Sequence, residues 1–213
     1  DVIHQLVTFL NRGIHPIVPR IGSLGASGDL APLSHLAIGL IGEGEVMFEN
    51  KTRLAKDVLL DCELLPLQLR AKDGLSLING TSQMTGFLCL GLERLKNLLT
   101  YSDLAACMSI DATESSLTPM DQRVHQARPH AGQLFVSARI RDILADSRII
   151  SAHKNSKRVQ DPYSFRCIPQ VHGAVLETLQ RLNQVVHTEL NSATDNPLVF
   201  PDLSNPGRHE IVS

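Results

Sequence analysis

Apolar residues recur at helical spacing along most of the chain. Val2, Ile3, Leu6, Val7 and Leu10 share one face over residues 2–12, and Gly13 follows where a helix end favours a left-handed residue. Residues 14–20 contain Pro16 and Pro19 and read as extended. Leu33, Leu36, Ala37, Leu40 and Ile41 predict a second helix, with Asp29 as its N-cap, Pro32 in its first turn and its end near Gly42 to Gly44. Residues 45–54 read as a hairpin with Asn50-Lys51 at the turn, and 55–64 as a short helix that Pro66 ends. A buried Leu/Ile run, Leu75 to Ile78, leads into a turn at Asn79-Gly80-Thr81. Leu88, Leu92, Leu95 and Leu99 mark a helix over 84–99, and a second helical segment covers 102–114. Residues 116–133 read as a polar loop, 134–144 as a helix and 145–159 as a charged, mobile loop. Val171, Val175, Leu179, Leu182, Val186 and Leu190 mark a long helix, followed by turn chemistry at Asp195-Asn196-Pro197 and a linker over 201–210. The fold class expected is mainly α: a helical bundle with a small β-hairpin near the glycine-rich loop at 22–32, forming one continuous unit over 1–213.

Composition narrows the picture. With 213 residues, 43% hydrophobic and 20% charged, the chain is an ordinary globular sequence with enough length for a real core. A net charge of −2 gives no reason to expect nucleic acid or an anionic membrane as partner, and no apolar run is long enough to cross a bilayer. Cys62, Cys89, Cys107 and Cys167 lack paired or metal-like spacing, so reduced, mostly buried thiols in a cytoplasmic protein are expected. His125 and His130 are the nearest approach to a metal motif, and no H-E-x-x-H exists, so no zinc site is expected. The start at Asp1-Val2-Ile3-His4 has no signal-peptide layout and suggests an excised central piece. There is no internal repeat.

The most unusual chemistry lies in Gly22-Ser23-Leu24-Gly25-Ala26-Ser27-Gly28-Asp29-Leu30-Ala31-Pro32. Ala26, Ser27 and Gly28 place almost no bulk at its centre. In a tight enough bend the Gly28 nitrogen reaches the carbonyl carbon of Ala26 and closes a five-membered ring. Loss of two waters, one from the Ser27 hydroxyl, leaves a conjugated imidazolone with an exocyclic C=C, an electrophile that no ordinary side chain supplies. The plainer reading is a small-residue surface turn. A phosphate loop is excluded, because the glycines fit neither G-x-G-x-x-G nor a loop followed by Lys-Ser/Thr. The nucleophile elbow G-x-S-x-G fails as well, since Gly28 directly follows Ser27.

The run GSLGASGDLAPLSH resembles the signature of the aromatic amino acid ammonia-lyases, most closely the histidine ammonia-lyases. The resemblance implies that Ala26, Ser27 and Gly28 cyclise autocatalytically to 4-methylidene-imidazole-5-one, with no metal or nucleotide. Asn79, in INGT, matches the family's contact to the prosthetic group and the substrate amine. NGTSQMTG departs from many histidine enzymes and looks more like tyrosine ammonia-lyases and tyrosine aminomutases, whereas His172 in PQVHGA leans towards histidine. RPHAGQ resembles a structural block near subunit contacts. QDPYSFRC resembles the family's QDxYSLRC segment, with Phe165 at a usual leucine. By that resemblance Arg166 binds the substrate carboxylate, Tyr163 lies beside the prosthetic group, and Gln160 hydrogen-bonds in the same pocket. ELNSATDNP, from Glu189 to Pro197, resembles a further segment near the active site.

The implied reaction is loss of ammonia from an L-amino acid, giving urocanate from histidine or coumarate from tyrosine. The family's base, a tyrosine on an earlier loop, matches neither Tyr101 nor Tyr163. The alternatives are the tyrosine branch, lyase or 2,3-aminomutase, and an inactive fragment that serves only as a helical assembly module. The resemblance also implies a homotetramer and a chain that covers less than half of a typical member.

Overall fold

Gly13 ends the first helix as its position predicts. Its φ is 67°, its amide donates to the carbonyl of Leu10, and that of Ile14 donates to Phe9. This is a computed structural model, which describes residues 1–153 and 158–213. The chain is mainly helical with small antiparallel sheets. It divides into two compact units: Asp1–Phe87 with Glu189–Ser213, and Leu88–Thr188.

The first unit holds α1 (Val2–Arg12), β1 (His15–Pro16), α2 (Leu30–Leu40), β2 (Glu45–Phe48), β3 (Lys51–Leu54), α3 (Ala55–Asp61), α4 (Asp73–Ile78) and the start of α5 (Ser82–Ala112). Its core is Phe9, Ile14, Leu40, Val46, Ala55, Val58 and Leu59. The face expected for α1 is only partly the buried one: Phe9 and Leu6 turn inward, while Ile3, Val7 and Leu10 are exposed. The expected hairpin forms, with β1 added as a third strand, but its turn is Glu49-Asn50 rather than Asn50-Lys51. Both turn residues have positive φ, and Lys51 pairs with Phe48. The run Leu75–Ile78, expected buried before a turn, is the short helix α4, with no fully buried residue. Strands β4 (Leu198–Pro201) and β5 (His209–Val212) pair antiparallel, so the stretch 201–210 expected as a linker is the closing connection of a hairpin with its flanking strand ends.

The second unit contains the rest of α5, α6 (Gln122–Gln126), α7 (Ala131–Ile143), α8 (Arg148–Ala152), α9 (Tyr163–Arg166) and α10 (Ile168–Leu190) as far as Thr188. The two helical segments expected over 84–114 are one helix, α5. Cys107, Ile110, Met120, Val136, Ile140, Leu144 and Ile168 form one core cluster, and Leu92, Leu179 and Val186 another. Of the two expected leucine and valine stripes, Leu88, Leu95, Val171, Val175 and Leu190 remain exposed. The polar loop expected over 116–133 carries a 3-10 turn (Thr118–Met120) and α6, whose N-terminus Asp121 caps through the amide of Arg123. The loop expected over 145–159 contains α8, and residues 154–157 lie outside the described part. Helices α7 and α10 meet backbone to backbone: a Cβ on Gly132 would lie 2.2 Å from the carbonyl oxygen of Gly173. Beside this contact Glu177 accepts the Gly132 amide at 2.8 Å, placing its carboxylate on the first turn of α7. Of the four cysteines only Cys107 is fully buried; the others are half-buried, and all are free thiols.

Candidate functional site

The small residues of the glycine-rich loop allow a close fold-back. Gly28 pairs with both Gly25 and Ala26 as isolated bridges, Gly25 has φ 67° and Gly28 φ 87°, and Ser27 is exposed. Only glycine takes such a φ freely, and Gly28 is also pressed on a neighbouring backbone: a Cβ there would lie 2.4 Å from the carbonyl oxygen of Gly80. The loop therefore reverses over Ala26, Ser27 and Gly28, the three residues expected to cyclise.

Asp29 fixes this loop. It stands at the N-cap position of α2 but makes no side-chain cap bond there. Its carboxylate, in a residue only 1% exposed, accepts from Ser23 Oγ at 2.7 Å and from the amide of Met84 at 2.9 Å. Met84 lies in the first turn of α5, so Asp29 caps a helix that begins over fifty residues later. Thr81 precedes that helix where a capping hydroxyl would be expected, yet its buried Oγ1 has no hydrogen-bond partner. The Asp29 amide donates to Gly80 at 3.0 Å.

Asn79 follows α4, next to Gly80. Its Nδ2 donates to the carbonyl of Asn196 at 2.7 Å. Asp195 accepts from Lys72 Nζ, from Ser76 Oγ at 2.8 Å and from the amide of Asn196 at 2.8 Å. Burial pushes the Asp195 carboxyl up, but the hydrogen bonds from Lys72, Ser76 and Asn196, with the Lys72 charge, outweigh it and hold the group below the usual carboxylate range. Lys72 has a left-handed backbone, with φ 72°.

Gln160, Tyr163 and Arg166 lie in the second unit. Gln160 and Arg166 line a cleft of about 790 Å³ with Arg158, Asp161 and Gln170. Arg166 Nε donates to the carbonyl of Asp161 at 3.0 Å, and its guanidinium carbon lies 5.2 Å from the centre of the Tyr163 ring, a cation–π distance. Tyr163 is 71% exposed. Asp161 accepts the Ser116 amide at 2.7 Å and pairs with Arg158. Burial pushes its carboxyl up, but hydrogen bonds from Ser116, Arg158 and Ser115 bring the net shift below the ordinary value.

The structure thus brings the triad and Asn79 together through Gly80, and Tyr163 and Arg166 together as a stacked pair. His172, which leaned the sequence reading towards histidine, is engaged inside its own unit: Nδ1 meets Asp103 Oδ1 at 2.7 Å. Asp103, 1% exposed, also faces Arg139 at 3.3 Å, and the Cys107 thiol is pushed up by burial first and by the Asp103 charge second. His125, within the stretch read as a polar loop, is fully buried between the Pro119 carbonyl and Gln133. Sequence reasoning missed Lys72 and took Asp29 for a local cap; the only sequence signal for either was a charge beside a motif. Among the described residues no group of three or more His, Cys, Asp or Glu is placed to hold a metal ion, and no helix is long and apolar enough to cross a membrane.

The sequence profile described as aromatic amino acid lyase matches residues 1–213. Histidine ammonia-lyase of Koribacter versatilis (strain Ellin345) is 45% identical over 206 residues, 97% of this chain and 40% of its own length. The crystal structure of histidine ammonia-lyase from Trypanosoma cruzi superposes with a TM-score of 0.83 at 36% identity, over 100% of this chain and 38% of that one. The tyrosine aminomutase from Streptomyces globisporus gives 0.82 at 39% identity, over 99% of this chain and 42% of that one. The chain therefore spans about 40% of the length of the curated relative it matches.

Proposed function

The chain belongs to the aromatic amino acid lyase family, and from that premise we propose that it carries the electrophile-forming part of an enzyme that eliminates ammonia from L-histidine to give urocanate. The observation that carries the reading is the fold-back of Gly28 onto Gly25 and Ala26, held against the Gly80 carbonyl. Ala26, Ser27 and Gly28 fit the precursor of 4-methylidene-imidazole-5-one: the chain already reverses there, and Ser27 is exposed for dehydration. Ala26, Ser27 and Gly28 would hold that group within the backbone, and it would supply an electrophile able to activate the substrate's amino group as a leaving group.

The chain's own residues bind and orient. Asn79 holds the amine through an uncharged amide that both donates and accepts. Arg166 takes the substrate carboxylate in two parallel hydrogen bonds, its plane steadied by the Asp161 carbonyl and the Tyr163 ring. Tyr163 positions the reacting amine, and Gln160 adds a hydrogen bond in the cleft it shares with Arg166. Asp29 and Gly80 hold the reactive loop. The complete enzyme is a cytoplasmic homotetramer in this reading; the exposed Leu98, Tyr101 and Met108 of α5 favour association with another apolar surface.

A second reading, a tyrosine ammonia-lyase or 2,3-aminomutase, is favoured by the NGTSQMTG run and by the 39% identity to the Streptomyces tyrosine aminomutase. Both readings are tested on the complete enzyme. The peptide containing Ala26-Ser27-Gly28 should weigh two waters less than its sequence, and Ser27→Ala should abolish both that loss and turnover. Release of urocanate from histidine, read by ultraviolet absorbance, against coumarate or a β-amino acid from tyrosine, decides the substrate. An active enzyme with an unmodified peptide would sink the mechanism.

A further inference from the structure

We propose that Lys72 and Asp195 are positioning residues that set the orientation of the Asn79 amide; the inference rests on the reading of Asn79 as an amine-binding group. The chain of contacts lies wholly in the first unit. Asn79 Nδ2 reaches the Asn196 carbonyl at 2.7 Å. A carbonyl oxygen only accepts, so the NH₂ side of the amide must face it, and Oδ1 is left for a donor. An amine nitrogen is such a donor. The orientation is therefore as good as the placing of the Asn196 carbonyl.

Asp195 fixes that placing. Its carboxylate binds the Asn196 amide at 2.8 Å, which holds the peptide unit preceding the carbonyl. It also binds Ser76 Oγ, at 2.8 Å, and Lys72 Nζ, one on α4 and one at its N-cap position. Asn79 follows the last residue of the same α4. Both ends of the Asn79–Asn196 hydrogen bond are thus tied to one ion pair: the acceptor through Asp195, the donor's helix through Lys72 and Ser76. Lys72 accepts a left-handed backbone, φ 72°, in the position that brings its side chain there. The side chains of Lys72 and Asp195 are about three-quarters and four-fifths covered, at 25% and 20% relative exposure, so the pair is screened less than a surface pair.

The test uses the complete enzyme. Asp195→Asn keeps the side chain's shape and an acceptor but removes the charge that holds Lys72. With the prosthetic ring shown to be intact by peptide mass, kcat/KM should fall by roughly 10- to 100-fold, the scale of a small misplacement of a reacting group. Lys72→Met should fall similarly, and Lys72→Arg, which keeps the pair, should recover most of the activity. The decisive arm is the cycle with Asn79→Ala: in that background Asp195→Asn and Lys72→Met should cost little more, because the group they orient is gone. A cost that persists undiminished in the Asn79→Ala background, or single variants with parental kcat/KM, would overturn the proposal. An Asn79→Ala enzyme with unchanged turnover would instead refute the reading of Asn79 on which it rests. If Asp195→Asn does not fold, the two Lys72 variants carry the same cycle.

Discussion

Replacing Asp29 by alanine removes a side chain that ties the glycine-rich loop to the start of α5. Its carboxylate is nearly fully buried and takes two hydrogen bonds, 2.7 Å from Ser23 Oγ and 2.9 Å from the Met84 amide. Hydrogen bonds to a charged group contribute about 1.5–3 kcal/mol each. The Met84 bond overlaps with the capping contribution of roughly 1 kcal/mol, and the negative charge at the helix N-terminus adds about 0.3–1 kcal/mol. Ser23 lies in an exposed stretch and regains a partner from water, so its bond contributes least to the difference. The net loss expected for Asp29→Ala is about 2–4 kcal/mol, dominated by the orphaned Met84 amide. Asp29→Asn keeps an acceptor for that amide and loses only the charge, so about 1–2 kcal/mol is expected.

The assay is urea unfolding of the complete enzyme at neutral pH, with the mass of the triad peptide measured on the same samples. Both variants should shift the unfolding midpoint downward in the order alanine, then asparagine. The alanine protein should also show a larger unmodified fraction of the triad peptide, because the loop retains Gly80 as a tether but loses α5. An Asp29→Ala protein within about 0.5 kcal/mol of the parent, the range of an ordinary surface substitution, would refute the capping argument.

Two further outcomes follow from the packing and the charges. A methyl on Gly173 would lie 2.5 Å from the Gln133 amide nitrogen, in backbone that cannot move aside cheaply, so Gly173→Ala should destabilise by about 1–3 kcal/mol or more, whereas Gly91→Ala on α5, with nothing within 4 Å, should stabilise by about 0.5–1 kcal/mol; urea midpoints of the two variants check both signs. Asp161 and Asp195 have folded values below the ordinary carboxylate range of about 3.9, so the stability they contribute is complete above that range and is lost as pH falls through their folded values. Asp161→Asn or Asp195→Asn should therefore reduce the acid sensitivity of the unfolding midpoint below about pH 4, and an unchanged acid limb in both would contradict the assigned shifts.

How much of this was readable in the sequence depends on whether the cause was local. Gly13, the β2–β3 pairing and the body of α2 follow from neighbouring residues and were legible. The break expected between 99 and 102 was not real, since Thr100 and Tyr101 continue the helix; within its second half the polar Asp103 is buried and paired with His172 and Arg139. A buried ion cluster looks like a surface position when its partners lie on other helices. The same holds for His125, whose burial depends on Gln133 and the Pro119 carbonyl. The exposed half of α1 shows the converse: of its regular apolar face only Leu6 packs against the core cluster, beside Phe9, while Ile3, Val7 and Leu10 stay exposed.

The motif blocks were legible as separate runs, but the reason for their composition appears only where they meet. Gly80 accepts the Asp29 amide at 3.0 Å and leaves no room for a side chain on Gly28, while its own Cβ position would face Thr194 Oγ1 at 3.2 Å. Its neighbour Asn79 reaches Asn196. Segments 26–29, 79–80 and 194–196 therefore knit in one place, and Gly28 needs to be glycine there because its backbone lies against that of Gly80. The reversal at 26–28 is thus held from outside, by the carbonyl of Gly80, and under the proposed function an externally held reversal is what ring closure between Gly28 and Ala26 would require of a chain that would otherwise relax.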